Sequence, residues 1–311
     1  MVPAGAAETL AVPVAARSHE AIRPLRAPLG LDPQKVALGR KLFHDPILSA
    51  DNTISCATCH PLAKGGADNL PVSLGVKGAA GTANSPTVYN TSLNLAQFWD
   101  GRATTLEEQV NGPLTHPAEM AATWPDVLAR LRASAYGREF RAVYGAEPAE
   151  ASVRDAIASF ERSLVTLDSS FDRWLAGDDK ALADEQKRGY ALFKSYGCAS
   201  CHQGANVGGN MFQRFGFFGN WFLDRGRSTQ ADLGRFNVTG KPSDKYVFKV
   251  PSLRLVTLTP PYFHDGSVAD LKQAIRLMGQ YQLGRDIAEP DIDLIVAFLG
   301  SLVDPARLAG P

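Results

Sequence analysis

The chain has no charge imbalance, little sulfur and no long apolar run. Lysine plus arginine and aspartate plus glutamate each number 32, so there is no basic surplus to hold nucleic acid and no acidic face to infer from totals. No stretch approaches the roughly 18 uninterrupted apolar residues of a membrane-crossing helix, so no membrane span is expected. The opening MVPAGAAETLAVPVAA is broken by proline and lacks the basic start of a secretory signal. It reads as the frayed head of a mature chain whose export signal has been removed. Strand patterns are scarce as well. What is present is an apolar share of 45% in 311 residues, enough for a core of ordinary size, and at roughly 100–200 residues per domain that length suggests two domains.

All four cysteines fall in two copies of one pattern, SCATCHP from Ser55 and GCASCHQ from Gly197. Ordinary readings of C-x-x-C are a thioredoxin-like redox pair, half of a zinc site and a structural disulfide. A redox pair sits at the end of a strand in a βαβ pattern, which neither copy does, and two zinc half-sites close over roughly 15–20 residues, far fewer than separate these motifs. The next residue is the more telling. Histidine is scarce, six in the chain, yet one follows both pairs, and C-x-x-C-H is the attachment pattern of c-type haem. Two thiols on one turn add across the haem vinyl groups, and the adjoining imidazole becomes the proximal iron ligand. Cys56, Cys59 and His60 would hold one haem covalently, and Cys198, Cys201 and His202 a second. Such attachment takes place outside the cytoplasm, which points to the periplasm.

The expected fold class is mainly α, with two cytochrome c-like helical domains at 20–175 and 176–303, tails at 1–19 and 304–311, long loops and little β. Asp32 and Pro33 carry the N-cap and first-turn signature ahead of a short amphipathic helix, PQKVALGRKLF. Ser152 is expected to start a longer one, whose stripe of Val153, Ile157, Phe160, Leu164, Leu167, Phe171 and Trp174 reads as core packing. The charged break AGDDKALADEQ follows as the boundary. DEQKRGYALFKSYG then leads as a helix into the second motif, Ser267 is expected to cap VADLKQAIRLMG, and PDIDLIVAFLGSLV closes the domain. Residues 64–85 and 203–261 are expected as long loops. A methionine opposite His202 would raise that haem's potential. Of the four methionines, Met211 and Met278 lie in the right half. Met278, at the end of a helix, is the better placed to close over the far haem face, while Met211 sits in a Gly-rich aromatic loop.

Longer stretches then resemble one family. LGRKLFHDPILS, GGADNLPVSLG, NSPTVYN, AQFWDGRA, LEEQVNGPL, PAEM, PYFHDGS and IVAFL run across residues 30–303 in the order found in bacterial di-haem cytochrome c peroxidases. The resemblance implies reduction of hydrogen peroxide to water. Electrons come from a small periplasmic donor, a cytochrome c or a cupredoxin, enter at a C-terminal His/Met haem (His202 and Met278) and pass to an N-terminal peroxidatic haem on His60. It further implies that Trp99 relays electrons between the haems, that Glu119 is the distal acid/base with Gln109 as the pocket amide beside it, and that Asn84, Thr259 and Pro261 hold a calcium ion between the domains. His264 takes a packed, supporting position, and a homodimer is the family expectation.

One departure stands out. Many family members carry a histidine, in the loop after the first motif, that caps the resting peroxidatic iron; the aligned residue here is Val76, which cannot ligate iron. Either the loop aligns differently, or the first haem lacks its usual lid and needs no reductive activation. His116, three residues before Glu119, is the one remaining histidine that could approach that pocket as ligand or proton donor; otherwise it is a loop residue. Two other functions stand beside the peroxidase: a protein-oxidising enzyme like MauG, which Val76 mildly favours and Met278 opposes because MauG has tyrosine there, and a non-catalytic di-haem electron carrier.

Overall fold

Asp32 and Pro33 start the first helix. The Asp32 carboxylate accepts from the Gln34 and Lys35 amides at 2.8 and 3.4 Å, and Pro33 takes the first helical position, where its missing N–H costs nothing. This is α1 (Pro33–His44). The computed structural model describes residues 17–308; the head expected up to residue 16 and the last three residues of the expected tail lie outside the described residues. After α1 come α2 (Cys56–Cys59), α3 (Leu106–Thr115), α4 (Trp124–Ala133), α5 (Tyr136–Tyr144), α6 (Glu150–Ser163), α7 (Ser170–Leu175), α8 (Asp184–Ser195), α9 (Trp221–Asp224), α10 (Phe236–Thr239), α11 (Leu271–Leu277) and α12 (Glu289–Gly300). Strands β1 (Phe212–Arg214) and β2 (Val247–Lys249) pair antiparallel with Phe212 opposite Lys249. The protein is mostly helical with little sheet, as expected.

Two helix crossings frame the molecule, and they are built alike. Where α1 crosses α6, a Cβ on Gly39 would lie 1.8 Å from the Ala156 carbonyl oxygen and 2.9 Å from Phe160 Cβ; where α8 crosses α12, a Cβ on Gly189 would lie 1.9 Å from the Leu294 carbonyl oxygen and 3.0 Å from Phe298 Cβ. In each case a glycine seats on two residues four apart, one turn of the partner helix. Four residues after each glycine stands a buried phenylalanine, Phe43 and Phe193. Around the first crossing pack Leu42, Leu114, Leu131, Phe140 and Ile157; around the second, Phe171, Tyr190, Ile295 and Phe298. A third cluster, with Phe43, Tyr89, Phe160, Leu255 and Val303, joins residues from both ends of the chain.

Several expected elements differ. The stripe from Val153 to Trp174 is not one helix. It breaks after Ser163, because Asn90 intercepts the chain: its amide donates to the Leu164 carbonyl at 2.8 Å, its side-chain nitrogen donates to Thr166 Oγ1 at 2.9 Å and its side-chain oxygen accepts the Thr166 amide at 3.0 Å. Asp168 then turns through φ 64° before α7. Ser152 lies inside α6, its hydroxyl accepting the Ala149 amide at 3.1 Å. Ser267 does not cap α11 either. Val268 is tied to Tyr262 in an isolated bridge, and Asp270 makes the cap, accepting from Gln273 N at 3.1 Å. The stretch 203–261 holds the two-strand sheet, two short α-helices and three single 3-10 turns within its loops.

Candidate functional site

Each C-x-x-C-H motif folds as a single turn that throws the histidine inward. The His60 amide donates to the Cys56 carbonyl at 2.9 Å and the His202 amide to the Cys198 carbonyl at 3.0 Å. No disulfide joins the four thiols. Burial pushes Cys56 up to about 12, with the Glu161 and Cys59 charges adding to the rise, and pushes Cys198 up to about 11. That is the reverse of what a redox pair or a zinc-binding thiolate needs, since both depend on an easily formed anion. Neutral thiols side by side, packed with the apolar cores, fit thioether attachment to a large apolar group.

The imidazoles fit the same group. His60 Nδ1 lies 3.0 Å from the Gly66 carbonyl oxygen, which fixes the proton on Nδ1 and leaves Nε2 as the ligating atom. Burial lowers His60, and it pushes His202 down to about 4, so both rings are neutral and able to bind metal near pH 7. His202 Nδ1 is buried without a close, well-aligned hydrogen bond, although the Val207 and Pro251 backbone beside the ring opposes the lowering. Phe193, Cys198, Cys201, His202, Ile275 and Met278 line one cleft, which brings Met278 and the second motif together. Met211 is not among the lining residues; its carbonyl accepts the Val250 amide at 3.0 Å. Met278 does not end its helix: α11 widens there into a single π-helical stretch, Met278–Leu283, a distortion frequent at functional sites.

Asn84, Trp99, Thr259 and Pro261 line the same cleft. The Trp99 indole N–H donates to the Asn84 carbonyl at 2.9 Å, the Trp99 carbonyl accepts the Lys249 amide at 2.9 Å, and the ring stands edge-on to His264 with centroids 6.5 Å apart. Asn84 donates its side-chain nitrogen to the Leu70 carbonyl at 2.9 Å, and it lines the cleft together with Thr259 and Pro261.

Glu119 lies on the side of the first motif, where its charge acts on Cys59. Its carboxyl is half-buried, and burial raises it above the usual range while His116 and Arg102 oppose the rise. His116 caps α3; its Nδ1 accepts the Ala118 amide at 3.2 Å and lies 3.6 Å from the Glu119 carboxylate. Val76 is buried, and its amide donates to the Glu119 carbonyl at 2.8 Å, so the loop after the first motif is docked on the segment that carries Glu119. Gln109, half-buried on α3, makes no side-chain hydrogen bond to the described residues near it. Pro113, one turn later in the same helix, has no amide hydrogen to give to the Gln109 carbonyl.

Three features escaped the reading of the sequence. His264 Nε2 sits 2.7 Å from Asp232, and Arg225 pairs with both Asp232 and Asp265; the guanidinium occupies the middle of this acidic cluster, which is an ion-pair network beneath Trp99. Glu161 is buried on α6, with Oε2 unpartnered and its carboxyl pushed up to about 8 by burial. Lys249 is buried in the cleft wall. Their spacing in sequence gives no signal, since each depends on segments that meet only in the fold; the one hint was the packed, supporting position that the resemblance implied for His264.

Comparison with known proteins places these observations in context. The sequence profile described as di-haem cytochrome c peroxidase matches residues 33–180. The cytochrome c peroxidase Ccp of Escherichia coli K12 is 48% identical over 286 residues, covering 91% of this chain and 61% of its own length; this chain thus spans less than two thirds of that relative. The cytochrome c551 peroxidase of Nitrosomonas europaea is 44% identical, covering 92% of this chain and 84% of its own. Among solved structures, a MauG-like protein associated with microbial copper homeostasis superposes with a TM-score of 0.82 at 28% identity, covering 98% of both chains.

Proposed function

This chain belongs to the di-haem cytochrome c peroxidase family, oxidoreductases acting on peroxide, and on that premise we propose that it is a periplasmic enzyme that reduces hydrogen peroxide to water with electrons from a small cytochrome c or cupredoxin. Its two cytochrome c-like halves, residues 20–175 and 176–303, each hold one covalent c-type haem, one through Cys56, Cys59 and His60 and the other through Cys198, Cys201 and His202. The repeated glycine crossing supports this division. When bound, the haems supply the redox chemistry, the C-terminal one receiving electrons and the N-terminal one meeting peroxide.

The chain's own residues do the rest. Met278 and His202, which line one cleft, would be the residues that hold the iron of the electron-receiving haem, and the carrying observation is that Trp99 lines this same cleft, held by Asn84, as a relay toward the first site. Glu119, whose carboxyl burial raises above the usual range, takes a proton in its ionised form from the near peroxide oxygen and returns it to the far one. His116 tunes that carboxylate, and Gln109 orients the substrate. A calcium ion on Asn84, Thr259 and Pro261 fixes the segment that anchors Trp99. Val76 leaves the first site without a histidine lid, so the oxidised enzyme needs no reductive activation. The protein works as a homodimer.

The test is peroxide turnover with a reduced small cytochrome c, starting from fully oxidised and from one-electron-reduced holoprotein. Turnover without a lag from both supports peroxidase function and the missing lid. Turnover from the pre-reduced sample alone keeps the peroxidase but refutes the reading of Val76. Activity from neither sample would favour a MauG-like enzyme or an electron carrier; Met278 speaks against the first and the Glu119 site against the second.

A further inference from the structure

Lys249 ends β2 at a place where a lysine is costly. Only 7% of its surface meets solvent, and the residue lines the cleft of Cys198, Cys201, His202 and Met278. A buried lysine usually lays its stem on apolar surface and keeps its amine in water. Here the amine has no such exit, and among the described residues no carboxylate, carbonyl or hydroxyl accepts from Nζ. Burial alone acts on it, pushing it down to about 8 with no opposing charge. Arg254 makes the contrast. It is buried more deeply still, but Asp172 binds it through two hydrogen bonds of 2.8 and 3.0 Å and the Ala205 carbonyl takes a third. Buried charges are paired or they are neutralised, and the Lys249 amine has no counter-ion among the described residues.

The group that would fill the cleft brings one. Haem carries two carboxylates at its edge, and a cation in the cleft wall is their natural partner in a water-poor setting. Resting on the reading that Cys198, Cys201 and His202 hold a haem, we propose that Lys249 is the counter-cation of a carboxylate of that haem, fixing its orientation in the cleft and holding up its reduction potential. An unneutralised carboxylate beside the iron stabilises the ferric form; a paired one does not, and net charge near the metal is among the quantities that set its potential. The Lys249 amide also holds the Trp99 carbonyl, so the pairing ties the haem edge to the strand that positions Trp99.

The experiment is a spectroelectrochemical titration of the second haem in wild-type, Lys249→Met and Lys249→Arg holoprotein, after the haem-to-protein ratio of each is measured. The expected result is two haems in all three, a lower and more pH-dependent potential in Lys249→Met, and a near wild-type potential in Lys249→Arg. Two haems with an unchanged potential in Lys249→Met overturn the pairing alone. Loss of the six-coordinate spectrum in both variants also overturns it, because the amine would then sit on the iron. Fewer than two haems in the wild-type protein refute the underlying reading and this proposal with it, before any variant is made. Should Lys249→Met fail to fold, resonance Raman spectra of the unaltered holoprotein decide: a haem-carboxylate bending band that shifts on exchange into D2O supports the pairing, and an unmoved band refutes it.

Discussion

Glu119 and Glu161 are both carboxyls whose burial favours the protonated form, yet they differ in company. Glu119 has His116 and Arg102 within reach and can trade its proton; its replacement by glutamine is expected to lower peroxide turnover roughly 10²–10⁴-fold, the usual range for a lost acid/base group, with both haems retained. The acid limb of the pH profile belongs to the same group: activity is lost as pH falls through a value above the ordinary glutamate range, and that limb is absent in Glu119→Gln, which steady-state assays across pH would check. Glu161 has no such task. Its carboxyl holds a proton in the folded state up to about pH 8, whereas an unfolded glutamate releases it near 4.5. Between those values the native state binds the extra proton, so stability falls as pH rises through this window and levels off above it. Glu161→Gln should flatten that slope and raise the melting temperature of the holoprotein at pH 8, by a stability increment on the order of 1–3 kcal/mol. The sequence announced Glu119 because it sits in a recognisable string, PAEM; it was silent on Glu161 because a charged residue between Phe160 and Arg162 looks like any exposed helix position.

A glycine in the middle of a helix ordinarily costs about 1 kcal/mol against alanine, so Gly39→Ala and Gly189→Ala would be stabilising on propensity alone. The crossings reverse the sign. The new methyl would stand less than 2 Å from a backbone oxygen of the partner helix, which cannot swing aside as a side chain can, and the helices must part. A loss of about 1–3 kcal/mol is expected from each change, read as a lower melting temperature. At this scale the sequence was legible where local chemistry decided the outcome, as at Asp32 and Pro33. It misled where a distant residue intervened. Leu164, Leu167, Phe171 and Trp174 continue the helical spacing of Val153 and Ile157, and nothing near them reveals that Asn90, far upstream, ends the helix. The strand pairing of Phe212 with Lys249 is likewise a contact between segments that carry no strand pattern of their own.

Across the whole molecule, Asn84 connects parts that would otherwise be independent: its carbonyl holds the Trp99 indole, its amide donates to the His264 carbonyl at 2.8 Å, and its side chain is anchored on the chain at Leu70. On the proposed calcium site, chelation of the holoprotein is expected to lower electron delivery to peroxide without releasing haem, with activity restored by calcium; stopped-flow reduction followed by peroxide turnover checks both halves of that statement. Trp99→Phe should leave reduction of the second site by the donor unchanged and slow peroxide turnover, a split visible in the same experiment. The sequence pointed to Met278, Trp99 and Asn84 as well as to Cys198, Cys201 and His202, and the fold gathers all six around one cleft, whereas the cation in the cleft wall and the ion pairs under Trp99 arise from loops that meet only on folding. The paired glycine crossings have one more consequence. Gly39 with Phe43, and Gly189 with Phe193, precede the cysteines and histidine in the chain but touch them in the fold: Cys56 packs against the cluster of Phe43, and Phe193 stands 6.5 Å from the His202 ring. A change that parts either pair of helices is therefore passed by one aromatic ring to the motif that follows it.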